Sequence, residues 1–284
     1  MIRQTSLQTT IEPQTASPPA PDRYTFGDSA LAADRLALLA ATYEPSSARL
    51  LRLCTCLGPR RAIDLGCGPG HSTRLLHAVV APASTIGIDS SPEHVARARA
   101  TAPPGVEYAV HDVTVAPLPG AAPPDLLYCR FLLTHLRDPA RVLAAWAAAS
   151  AAERATLVIE ETAEMSSPHP AFRLCYQLVA DLQRHYGQQL LVGRTLDRAL
   201  AGAGWQPELD VVRELSLPAR RMARLHALNL VTWRQDPFAR AAFAPATLDG
   251  LAAALEAIAS GAADAPDVRH SMRQLVLMKT GGMP

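Results

Sequence analysis

Three glycines at alternate positions, Gly66, Gly68 and Gly70, follow the run Ala62-Ile63-Asp64-Leu65. An apolar run that breaks into glycines reads as a buried strand ending in a tight loop, and Ser72–Val80 then reads as a helix. Glycine lacks a Cβ, so such a loop lets a ligand approach the backbone closely. Strand, glycine loop and helix in that order place a nucleotide-like ligand at the end of an α/β sheet. The details exclude two common phosphate binders. A dinucleotide loop needs Gly or Ala where this chain has His71, and a P-loop needs a Gly-Lys-Ser/Thr that is absent, Lys279 being the only lysine. The ligand expected here carries no phosphate.

Further acids stand at the ends of the following strand-like runs. Ser84–Asp89 ends in Asp89, 19 residues after Gly70, which is the spacing at which a carboxylate takes two ribose hydroxyls. Asp89-Ser90-Ser91-Pro92-Glu93 also opens a helix, with Ser90 or Ser91 as its cap. Val106–Val113 is a third strand that includes His111 and Asp112, where Asp112 also fits a turn before Thr114. A fourth, 124–130, ends in Cys129-Arg130 and is followed by His135 and a helix start at Asp138-Pro139 that leads into Val142–Ala149. Ala155–Glu161 is a fifth strand ending in two acids.

Asp64-Leu65-Gly66-Cys67-Gly68-Pro69-Gly70 resembles the first motif of class I S-adenosylmethionine-dependent methyltransferases, and the later segments arrive in that family's order. The likeness runs from Tyr24 to Met278, is strongest over 62–135, and points to the small-molecule, bacterial natural-product branch. It implies that Gly66, Cys67, Gly68 and Gly70 back onto the methionine part of the cofactor. Asp64 would orient the loop or meet the cofactor's amino group. Asp89 would hold the ribose with Ser90 beside it. Asp112 would meet the adenine amino group, and Val113 would offer an apolar face or a backbone N–H. Cys129 and Arg130 would flank the methionine moiety, and Tyr24 would close over the sulfonium. The product is S-adenosylhomocysteine, and no metal is called for.

Five strand signals alternating with helices predict a doubly wound, Rossmann-like sheet. Leu196–Gly204 reads as a helix, Leu209–Leu217 as a sixth strand and Ser271–Met278 as a seventh. The family pattern makes the sheet seven-stranded and mostly parallel, with an antiparallel last strand. Residues 1–22 read as a flexible arm and 23–57 as a helical lid at the start of the methyltransferase domain (23–284). Two further insertions, at about 165–195 (helical over Pro170–Gln188) and 219–263, read as a cap over the acceptor.

Methyl transfer needs alignment, and an O- or N-acceptor also needs its proton removed. The candidate bases are His135 after strand four, Glu161 at the end of strand five and His226, which shares a helix face with Asn229 and Trp233. Tyr176 and His185 are weaker candidates. Against each stands a structural role: an internal packing histidine, a solvated turn carboxylate, an ordinary helix face.

A net charge of +1 and 5% aromatic residues give no platform for nucleic acid, and no apolar run is long enough to span a membrane. Five cysteines without metal spacing read as reduced thiols, consistent with a cytoplasmic protein. The expected partner is a small, fairly apolar acceptor, O- or N-methylated in secondary metabolism. Carbon methylation of an electron-rich ring or alkene stays open. So do a non-methylating cyclase or regulator that binds the same cofactor, and a homo-oligomer formed through the arm. A nicotinamide oxidoreductase is disfavoured by His71.

Overall fold

The computed structural model describes Gly27, residues 29–151 and residues 155–280. Tyr24 and the 1–22 segment lie outside the described residues. The chain begins with α1 (Ala30–Leu53), capped by Ser29, whose hydroxyl accepts from the Ala32 N–H. It then alternates through β1 (Arg61–Leu65), α2 (His71–Val80), β2 (Ser84–Asp89), α3 (Pro92–Ala100), β3 (Val106–Val110), β4 (Leu126–Arg130), α4 (Pro139–Ala149) and β5 (Thr156–Ser166). After α5 (Pro170–His185) and the short α6 (Leu196–Leu200), β6 (Trp205–Leu217) and β7 (Val268–Lys279) enclose α7 (Ala219–Trp233), α8 (Pro237–Ala242) and α9 (Pro245–Ser260).

The seven strands form one sheet in the order β3-β2-β1-β4-β5-β7-β6. β1 to β5 are mutually parallel where paired, and β7 runs antiparallel to both β5 and β6. The expected Rossmann-like topology is therefore present. Its central strands carry apolar residues on both faces, as a sheet covered by helices requires. Ala62, Leu126, Tyr128 and Val158 face α1 and α2 through Leu50, Leu51 and Leu76. Ile63, Leu65, Leu127 and Ile159 face α4 and α6 through Leu143, Trp146 and Leu196. A third apolar cluster joins α5, α7 and α9 through Phe172, Leu182, Met222, Trp233 and Leu255.

Several boundaries differ from the expectations, each for a local reason. β3 stops at Val110 because Asp112 turns the chain by accepting from the Thr114 N–H and hydroxyl, each at 2.8 Å. β5 and β6 run longer than expected because β7 pairs with them over nearly their whole lengths, with a register shift at Thr162/Glu164 and another at Pro207/Leu209. The helix expected over Leu196–Gly204 is one short turn, α6, preceded by a 3-10 turn over Val192–Thr195.

Candidate active site

A cavity of about 650 Å³ opens at the C-terminal ends of the parallel strands. Its walls come from the loops after β1, β2, β3 and β4, from α1, and from α5 and α7. This is where an open α/β sheet binds ligands, because the strand-end loops diverge there.

At one end stand the glycine loop and the acids. Asp89 Oδ2 accepts the Gly68 N–H at 2.8 Å and Oδ1 accepts the Ser91 N–H at 2.9 Å. A carboxylate has about four acceptor positions, so both oxygens keep capacity for a ribose diol. Ser91, not Ser90, caps α3 by accepting the His94 N–H at 3.1 Å, leaving Ser90 on the cavity wall. Gly66 has φ +69, and a Cβ there would meet Leu132 Cδ1 at 2.7 Å, so this wall needs glycine on two counts. Asp112 and Val113 line the same end, and the Val113 carbonyl is held by the Trp146 indole N–H at 2.9 Å.

Other expected cofactor residues do not line the cavity. Asp64 is buried beneath the loop, where Oδ2 accepts the hydroxyls of Ser72 and Thr73, each at 2.6 Å. It orients the start of α2, and burial pushes its carboxyl up to about 6. Cys67 packs with Val95, Ala98 and Tyr108, and its N–H ties the loop to the Ile88 carbonyl at 2.9 Å. Gly70 begins α2 with φ +83 against the Tyr108 hydroxyl. Cys129 is fully buried between the sheet and α4. Arg130 does line the cavity and donates to Ser47 Oγ at 3.0 Å.

The three candidate bases are separated. Glu161 is fully buried and is not on the cavity wall. Its carboxylate accepts the Leu133 N–H at 2.6 Å and holds the turn after β4, while burial pushes it up to about 8. It is therefore a positioning residue and not a base facing an acceptor. His135 lines the cavity near Arg35, and burial together with that cation pushes it down to about 3. His226 lines the opposite end, pushed down to about 4 by burial. Asn229 shares its wall and accepts from Arg35 Nη1 at 3.1 Å, whereas Trp233 is buried in the helical cluster away from the cavity. His185 stacks on Phe238 at 4.1 Å and does not line the cavity.

Three lining residues had no signal in the sequence. Phe131 follows β4 with φ +55, an unfavourable backbone for an aromatic residue and one that concentrates at functional sites. Its ring meets Tyr43 edge-on at 4.9 Å and stacks near His270 at 6.0 Å. Tyr43 hydrogen-bonds His270 Nδ1 at 2.5 Å, and His270 Nε2 meets Thr162 Oγ1 at 3.2 Å. Among the described residues no cluster of His, Cys, Asp or Glu could hold a metal ion, and no helix is long and apolar enough to cross a membrane.

The parallel sheet, the antiparallel β7 and the strand-end cavity define a class I methyltransferase fold. The chain belongs to the family of methyltransferase domains, whose model matches residues 29–209. Trans-aconitate 2-methyltransferase of Methylobacterium nodulans is 42% identical over 97 residues, 34% of this chain and 36% of that relative. The same enzyme of Klebsiella pneumoniae is 41% identical over 92 residues, 32% of this chain and 35% of that relative. The chain thus matches about a third of the length of these curated relatives. Among solved structures, a protein of Bacillus halodurans C-125 described as a candidate methyltransferase aligns with TM-score 0.56 at 15% identity, covering 83% of this chain and 99% of that one. The [4+2]-cyclase SpnF aligns with TM-score 0.50 at 20% identity over 92% of this chain and 86% of that one. At these identities the likeness is one of fold.

Proposed function

We propose that this protein transfers a methyl group from S-adenosylmethionine to an oxygen or nitrogen of a small, fairly apolar acceptor in secondary metabolism. The observation that carries this reading is one continuous cavity, with a nucleoside-type end at Gly66, Gly68, Asp89 and Asp112 and a largely apolar end between α5 and α7. The spare acceptor positions of Asp89 suit the ribose, and the close-approach wall at Gly66 suits the methionine chain. The cofactor supplies an already activated methyl group, so the protein's task is alignment and proton management. Residues 23–57, 165–195 and 219–263 act in this reading as lid and cap, since α1, α5 and α7 all contribute cavity wall.

Calorimetric titration with S-adenosylmethionine and S-adenosylhomocysteine tests the cofactor end. Saturable micromolar binding of both is expected, and absence of binding by folded protein would refute the reading. Labelled methyl transfer to a panel of acceptors then tests the reaction. A second reading is kept because SpnF, described as a cyclase, shares the fold over most of the chain. It is distinguished by turnover of an acceptor without formation of S-adenosylhomocysteine.

A further inference from the structure

Three residues of the cavity wall carry a buried polar atom that the rest of the protein does not satisfy. His226 Nε2 on α7, and Tyr176 Oη and Gln183 Oε1 on α5, are buried without a hydrogen-bond partner in the protein. All three residues line the cavity. His226 is 7% exposed and Gln183 is 1% exposed. Tyr176 and Gln183 lie seven positions apart, two turns along one face of α5, and the Tyr176 ring meets His226 edge-on at 5.2 Å. Cys175, Val179, Leu190, Met222 and Leu225 supply apolar wall in the same cavity, beside the Arg35–Asn229 pair.

Leaving a buried polar atom unpaired costs on the order of 1–3 kcal/mol, so three on residues that line one cavity need a reason. A ligand that pairs with them is such a reason. We propose that His226, Tyr176 and Gln183 form the recognition site for an uncharged acceptor that carries hydroxyl groups on an apolar frame. The assignment rests on the methyltransferase reading above and names the acceptor class for that same site.

The donor and acceptor inventory selects the class. Gln183 Oε1 can only accept, Tyr176 Oη both donates and accepts, and an imidazole nitrogen does either according to tautomer. A hydroxyl can pair with any one of them. A carboxylate can only accept, so it leaves Gln183 Oε1 unpaired. It would also have to shed its hydration among apolar walls. The two arginines on the cavity wall, Arg35 and Arg130, each spend an Nη1 donor on Asn229 and Ser47.

The test is fluorescence-monitored titration of the full chain, saturated with S-adenosylhomocysteine, using three matched probes: 2-naphthol, naphthalene and 2-naphthoate. At least tenfold tighter binding of 2-naphthol than of the other two is expected. The double variant Tyr176→Phe/Gln183→Leu should reduce that preference below threefold. Because it deletes unpaired buried atoms, it should leave the melting temperature of the ligand-free protein unchanged or raised. Equal binding of naphthol and naphthalene, tighter binding of naphthoate, no saturable naphthol binding, or a preference that survives the double variant would each overturn the assignment. A fall in melting temperature would do so too, by giving these atoms a structural role. Failure of the naphthol series with intact S-adenosylhomocysteine binding refutes this acceptor site alone. Loss of S-adenosylhomocysteine binding refutes the methyltransferase reading itself.

Discussion

Asp89 grips the glycine loop across the strand ends: its Oδ2 accepts the Gly68 N–H at 2.8 Å while its Oδ1 accepts the Ser91 N–H at 2.9 Å. One carboxylate thus fixes the β1 loop, starts α3 and faces the cavity. Asp89→Ala should weaken S-adenosylhomocysteine binding at least tenfold, equivalent to about 1.4 kcal/mol. Asp89→Asn keeps one acceptor oxygen and should fall between the two. Calorimetry on both variants checks this, and an unchanged affinity in Asp89→Ala would remove the ribose assignment.

Gly66→Ala should lower stability by about 1–3 kcal/mol, the usual penalty for a non-glycine residue in left-handed backbone. The added methyl also meets Leu132 Cδ1 at 2.7 Å, which pushes that side chain towards the cavity. A lower melting temperature together with weakened cofactor binding is expected. Full stability would show that the loop can re-form around a side chain.

Glu161 makes stability depend on pH in a definite direction. Its carboxyl is raised from 4.5 to about 8 in the folded chain, so the folded state holds a proton that the unfolded state has lost. Stability from this group is complete below about 4.5 and is lost as pH rises towards 8. Asp64 acts the same way but only up to about 6. The interval from about 6.5 to 8 therefore isolates Glu161. The melting temperature should fall across that interval in the wild type and stay level in Glu161→Gln. Equal slopes would contradict the assignment.

Buried histidines act at the acid side with the opposite sign. His226 is lowered from 6.5 to about 4, so below 6.5 the unfolded chain binds a proton that the folded chain refuses. Stability from the neutral ring is present above about 6.5 and is lost as pH falls towards 4. His226→Phe should lose less stability than the wild type between pH 6.5 and 4.5, measured by denaturant midpoints. A parallel loss in both proteins would place the protonation elsewhere.

The glycine-loop end of the cavity was legible in the sequence and the end between α5 and α7 was not, for a physical reason. Glycine spacing, strand-end acids and the Ser91-Pro92 cap are local chemistry, written within a few residues of where they act. Even there, the direction of a side chain was hidden. Asp64, Cys67 and Cys129 have fitting types and positions, yet the alternation of a strand or the turn of the loop points them into packing. Glu161 reads as a strand-end acid, but the turn after β4 folds over it and claims one of its oxygens through the Leu133 N–H. That end of the cavity is lined by Tyr43, Phe131, Tyr176, Gln183 and His226, brought together from four separate segments. Their packing is a tertiary event with no short-range signature. Phe131 in left-handed backbone is the extreme case, since local preference argues against what the surrounding structure imposes.

The position of β7 has a consequence for how the chain comes to be folded. Of the seven described strands this one is made last, but it occupies an interior place between β5 and β6. Until Val268–Lys279 emerge, β5 presents an open apolar edge and β6 has no sheet to join. The nascent chain must therefore carry an unfinished, adhesive sheet until β7 is made, which is the condition under which strand edges aggregate. A translational pause or stop anywhere in the α7–α9 segment would release a protein whose first five strands are sound but whose sheet cannot close.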